Sequence, residues 1–165
     1  MPVKIAGAVA IIASCTMLGF ELSSHLIKRV QILGVWQQVL QRMNGLIGYA
    51  KTPLYEIYET FATEEGEVGM FFSSLLKCGG EDTLKSWKKN MGKMKWLSKK
   101  DEEILINLAK GLGKGDADTQ IKDIEFAYDG ISAALIQAKT ICTRDSKMYR
   151  SISFFAGVTV AILLI

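Results

Sequence analysis

The stretch GLGKGDADTQ, residues 111–120, sets three glycines and a lysine into five consecutive positions. Glycine-rich loops with a lysine can cradle phosphate, because backbone N–H groups unobstructed by side chains converge on the anion. The spacing here is wrong for that chemistry. With Gly113-Lys114 as the glycine–lysine pair of G-x-x-x-x-G-K-[ST], the first glycine falls on Leu108 and the metal-binding hydroxyl on Gly115. A dinucleotide fingerprint fails as well: Gly111 and Gly113 fit, but the third position is Asp116, whose charge would repel a pyrophosphate. The stretch reads instead as a tight turn between helices. Gly111 or Gly113 supplies a left-handed residue, and Asp116 or Asp118 caps the following helix.

Other chemistry is sparse. His25 is the single histidine and cannot build a metal site without help. Cys15, Cys78 and Cys142 are odd in number and far apart, with no zinc spacing. No serine or cysteine has a plausible base. Glu64, Glu65 and Glu67 fall in a break between helices and read as solvated. The segment 85–100, KSWKKNMGKMKWLSKK, holds seven lysines and no acid, interleaved with Trp87 and Trp96. On a helix Trp87, Met91 and Met94 share one face and most lysines the other. That leaves a solvated face, or a docking surface for an acidic partner or lipid headgroups. Lys88, Lys89 and Lys93 are the candidate contacts. No enzyme activity, cofactor, metal, small-molecule substrate or nucleic acid is expected.

The elements that position these residues are helical. Leu22, Leu26, Val30, Leu33, Val35, Leu40, Met43 and Ile47 mostly follow spacings of three and four. In KTPLYEI, Thr52 is placed to cap a helix start and Pro53 to occupy its first position, before a face of Leu54, Ile57, Tyr58 and Phe61. A short helix with Val68, Phe71, Phe72, Leu75 and Leu76 inward is expected to end at Gly79 and Gly80. The next carries Leu84, Trp87, Met91 and Met94. Ser98 and Asp101 form a capping pair for a helix bearing Ile104, Leu105, Leu108 and Leu112. Ile121, Ile124, Tyr128, Ile131, Leu135, Ala138 and Cys142 then mark one long amphipathic helix. The fold class is all-α, a bundle of about six helices.

The 165 residues suffice for one core, and a mean hydropathy of +0.20 is high for a soluble chain. The apolar surplus lies in two uncharged runs, residues 5–20 and 151–165. With modest extension both read as transmembrane helices, 3–20 and 149–165, enclosing a bundle over 21–148. Sixteen helical residues cover roughly 24 Å. A lipoprotein cleavage box at IASC, residues 12–15, is the weaker alternative, because the apolar run continues to Phe20. Lys28, Arg29, Lys139, Arg144, Lys147 and Arg150 flank the runs on the inner side against Lys4 on the outer, which places the bundle in the cytoplasm. There Cys78 and Cys142 would stay reduced. Residues 21–150 hold 19 basic against 17 acidic side chains, so net charge names no partner.

Four segments in order, GFELSSHLIKRVQIL, YAKTPLYEI, LAKGLGKGDADTQIKDIEF and KMYRSISFFAGVTVAILLI, resemble the stage III sporulation protein AB family of endospore-forming bacteria, over essentially the whole chain. The chain departs from the family pattern at Val30, where proline is frequent, and at Ala50, where glycine follows the tyrosine. It also lacks acidic residues before Tyr49, so a cation-binding role there does not transfer. The resemblance implies a fold like the cytoplasmic domain of the type II secretion platform protein F. It further implies a noncatalytic platform in a secretion-like channel between mother cell and forespore, seated in the mother-cell membrane. Implied partners are that membrane, a secretion-type ATPase (stage III sporulation protein AA) and other proteins of the stage III complex. The alternative is a platform subunit of an ordinary type II secretion or type IV pilus system. Gly111, Gly113, Asp116 and Gln120 would belong to a family signature, as a structural turn or a partner contact.

Overall fold

A computed structural model describes residues 2–78 and 83–164, apart from a set of side chains in the outer parts of the first and last helices. It contains α1 (Pro2–Gly48), α2 (Leu54–Ala62), α3 (Glu67–Lys77), α4 (Thr83–Met91), α5 (Lys99–Gly111) and α6 (Ala117–Leu164). Among the described residues there is no strand, as the periodicity predicts. The chain divides into two compact units. One is Gln31–Ile136, the bundle. The other joins Met1–Val30 and Gln137–Ile165, the outer parts of α1 and α6.

In the bundle, α2 packs on α3, α3 on α4 and α4 on α5. Leu33, Leu40, Met43 and Ile47 of α1 are buried as predicted, but Val35 is only half-buried. Trp36, off the predicted stripe, is fully buried instead, with Val39. Continuing the three-and-four spacing from Leu33 gives 36, 40, 43 and 47, which is the observed face. The side chain of Leu22, and the glycines at 79 and 80 expected to end α3, lie outside what the structure describes.

Two helix starts differ in quality. At α5 the expected capping box is complete: Asp101 N–H donates to Ser98 Oγ at 3.3 Å, and Ser98 N–H donates to Asp101 Oδ2 at 2.9 Å. At α2 the expected cap does not form. Pro53 is extended (φ −58°, ψ 143°) and is itself the N-cap, so the helix begins at Leu54 without a side-chain cap bond. Thr52 instead donates its backbone N–H to Leu46 O at 3.0 Å, folding the link back on the end of α1. Met94, expected on α4, is buried in the turn beyond it, because α4 stops at Met91.

The core centres on aromatic rings. Trp36 of α1 meets Phe71 and Phe72 of α3 at 5.4 and 5.7 Å between centroids, and Trp87 of α4 at 6.2 Å. Phe71 and Trp87 cross nearly perpendicular at 5.0 Å. Tyr58 and Phe61 of α2 close on Phe72 at 5.5 and 5.2 Å. These are the offset and edge-on arrangements that ring quadrupoles favour. α6 contributes Ile124, Ala127, Ile131 and Leu135. It is tied to α1 by Gln37 Nε2 donating to Ser132 Oγ at 2.8 Å.

Among the described residues no helix is long and apolar enough to cross a membrane. The expected spans, 3–20 and 149–165, fall in part on side chains outside the described ones.

Two consequences are measurable in the detergent-solubilised chain. Trp36→Ala should cost about 3–5 kcal/mol by denaturant titration. Trp36→Phe should cost only about 1–2 kcal/mol, since the buried indole N–H has no hydrogen-bond partner to lose. Equal losses would contradict this ordering. Burial pushes the Tyr58 hydroxyl up to about 12 from 10.0, slightly offset by the nearby Trp87 indole, which lies outside good hydrogen-bond geometry. The neutral phenol is thus favoured by folding. Its contribution is full below pH 10 and is lost as pH rises from about 10 through about 12. Over that window the parent chain should lose about 2 kcal/mol more than Tyr58→Phe; parallel losses would contradict a buried, raised phenol.

Candidate partner-docking surfaces

The 111–120 stretch is a turn held by its own side chains. α5 ends at Gly111, and Leu112 is extended and buried. Gly113 takes φ +76°, a left-handed value at which a Cβ is strained. Lys114 N–H donates to Gly111 O at 3.2 Å. The Gln120 amide then spans the loop. Its Oε1 accepts from Gly113 N–H at 3.2 Å, and its Nε2 donates to Gly115 O at 2.9 Å. Asp116 Oδ1 accepts from Thr119 N–H at 3.3 Å, so Asp116, not Asp118, caps α6. The Thr119 hydroxyl, then its backbone N–H and Lys122, hold the Asp116 carboxyl below the usual carboxylate range. The loop's Gly113 and Lys114 N–H groups face inward to the chain's own acceptors and do not converge on a phosphate. A Cβ at Gly111 would lie 1.8 Å from Asp123 Oδ2, which shows how closely the start of α6 approaches the end of α5.

The structure brings this turn against the other predicted motif. Thr52, Pro53 and Leu54 face Gly113, Ala117 and Gln120 across an open groove of about 310 Å³, with Ile47 and Lys51 completing its wall. Lys51 has φ 49°, a strained value for a lysine, at the corner where α1 turns into α2. On the residues next to these, Gly48 and Tyr49 of one segment and Ile121 and Glu125 of α6 line a second hollow. Tyr49 is 95% exposed. Segments YAKTPLYEI and GLGKGDADTQIKDIEF, 60 positions apart at Lys51 and Gly111, therefore make one end of the bundle.

The lysines are elsewhere. Lys88 and Lys89 are exposed on α4, and Lys93 lines a separate groove of about 490 Å³. That groove runs between α3 and the α4–α5 connection. Its walls include Glu67, Met70, Phe71, Asn90, Met94, Lys95 and Trp96. Lys93 Nζ donates to Asn90 Oδ1 at 3.1 Å, and Trp96 Nε1 donates to Glu67 Oε1 at 2.6 Å. Glu67, read from the sequence as a solvated residue in a break, is instead the first residue of α3 and accepts from Trp96. Met70 and Asn90 carried no sequence signal, since their role depends on which helices become neighbours.

The sequence profile described as Stage III sporulation protein AB matches residues 4–165. The chain is 28% identical to the Stage III sporulation protein AB of Bacillus subtilis (strain 168), over 98% of each chain. No solved structure matches it. The chain belongs to the stage III sporulation protein AB family. Both segments that form the bundle end lie within the matched region.

Substitutions separate a turn from a reactive site. Gly113→Ala should destabilise the bundle by about 1–2 kcal/mol, from the left-handed backbone alone. Lys114→Ala, on an exposed side chain, should change neither stability nor spore yield. A spore defect in Lys114→Ala with an unaltered denaturation midpoint would contradict the turn and reopen lysine chemistry.

Proposed function

We propose that this protein is a noncatalytic, membrane-anchored platform in a secretion-like channel complex between mother cell and forespore. In this reading residues 3–20 and 149–165 span the mother-cell membrane, and the bundle faces the cytoplasm. Family membership supports the sporulation role. The observation that carries the platform reading is the build of α1 and α6. They are 47 and 48 residues long, and each enters the bundle from a terminal part that contains an uncharged apolar run. Helices of this length exceed what a small bundle needs to close its core, where three or four turns are ordinary.

In this reading the anchored bundle acts by holding partners. The implied partners are a secretion-type ATPase, stage III sporulation protein AA, and other membrane proteins of the stage III complex. The likeness to the type II secretion platform protein F belongs to the same proposal. A platform in an ordinary secretion or pilus system is the competing role, but sporulation-family membership disfavours it.

A clean deletion in the native host tests the role. The expected outcome is loss of heat-resistant spores, arrest after engulfment, and normal vegetative growth and secretion. Normal spores accompanied by a secretion or pilus defect would overturn the assignment.

A further inference from the structure

We propose that the groove between α3 and the α4–α5 connection docks an amphipathic segment of another protein. That segment sets a carboxylate against Lys93 and Lys95 and a bulky apolar side chain on Met70 and Trp96. The inference rests on the protein working through protein partners, and not on the channel assignment.

Charge is the first argument. Segment 85–100 carries seven Lys and no Asp or Glu, whereas the rest of the chain has thirteen Lys and Arg against seventeen Asp and Glu. The chain's net excess of positive charge thus comes from one-tenth of its length. Lys85, Lys88 and Lys89 stand three and four residues apart on the exposed side of α4, opposite the buried Trp87 and Met91. Like charges at this spacing repel, and a merely solvated face gains by mixing signs. Among the described residues no carboxylate lies within ion-pair distance of any of the seven. Lys93 and Lys95 extend the ridge to the groove's rim.

The floor supplies the second argument. Met70 is 63% exposed, although it neighbours the buried Phe71, and Met94 lies beneath at 5%. A thioether pair beside an indole is an adaptable apolar seat. Trp96 is held ready by its bond to Glu67, so its ring need not be ordered on binding. The same bond turns Glu67, the one carboxylate among the described residues of the groove wall, toward the indole, and Lys93 and Lys95 outnumber it there.

The arrangement disfavours a nucleic acid. Trp87 is fully buried and offers no stacking face, and the segment has no arginine. A peptide needs one carboxylate at the rim and one apolar anchor, which the groove provides.

The test uses the full chain in its own sporulating host, with p-benzoylphenylalanine replacing Met70, and replacing the exposed Phe126 of α6 as control. After irradiation, the cross-linked peptide is mapped by mass spectrometry. The expected result is a protein segment with Asp or Glu within four residues of the captured apolar side chain. Its yield should drop about tenfold in Lys93→Glu/Lys95→Glu, and return when the partner's acid is changed to lysine. Both lysines are exposed, so the double variant should retain its helix content and membrane fraction. Capture of lipid, nucleic acid or a second copy, yield no higher than at Phe126, or yield unmoved by charge reversal would each overturn the proposal. A mapped acidic segment from a protein outside any secretion-like complex would keep the groove and remove the platform reading. Arrest of the deletion strain after engulfment, without capture at Met70, would do the reverse.

Discussion

The bundle depends on one indole. Trp36 sits at full burial, and its ring touches two phenylalanines of α3 and the tryptophan of α4. Phe72 passes the contact on to Tyr58 and Phe61 of α2. Four helices are thus positioned against a common set of flat, rigid side chains. α2, α3 and α4 are short, between 9 and 11 residues, and helices of that length are marginal in water alone. Their geometry is imposed by the aromatic cluster, and with it the groove whose floor is the outer edge of Phe71 and its neighbours.

The surface features follow from that constraint. With Trp87 drawn inward, the lysines of α4 have only the outer face left, and the basic ridge is the complement of the core. The 111–120 turn follows a similar logic. Leu112 is buried as α5 ends, and Asp116 caps α6 four residues on. Gln120 closes the short link between them from inside α6. The backbone groups of this loop are thus largely satisfied from within the chain.

Much of this was legible in the residues. The capping pair at Ser98 and Asp101 and the long amphipathic run from Ile121 onward rest on local rules, as does the break expected over 63–67, although α3 already begins at Glu67. Local rules hold where a helix is free to follow its own pattern. Trp36 and Val39 lie off the stripe drawn through Leu33, Val35 and Leu40, yet both are buried, whereas Val35 is not. Which of two adjacent residues turns inward is settled by the partner rings on α3 and α4, and these come from distant sequence. Thr52 failed as a cap for a related reason: its N–H closes on Leu46, a tertiary demand of the corner between α1 and α2. The meeting of Thr52–Leu54 with Gly113 and Gln120 could not be read along the chain at all, because it needs the topology.

The central claim is an anchored bundle on the cytoplasmic side, and Cys78 offers a direct probe. It is exposed at the end of α3, whereas Cys15 and Cys142 are half-buried. In a chain carrying Cys15→Ser and Cys142→Ser, a membrane-impermeant maleimide should label Cys78 only after the cells are opened. The chain should also stay with the membranes through alkaline carbonate washing. Labelling in intact cells, or release of the chain by carbonate, would contradict the account.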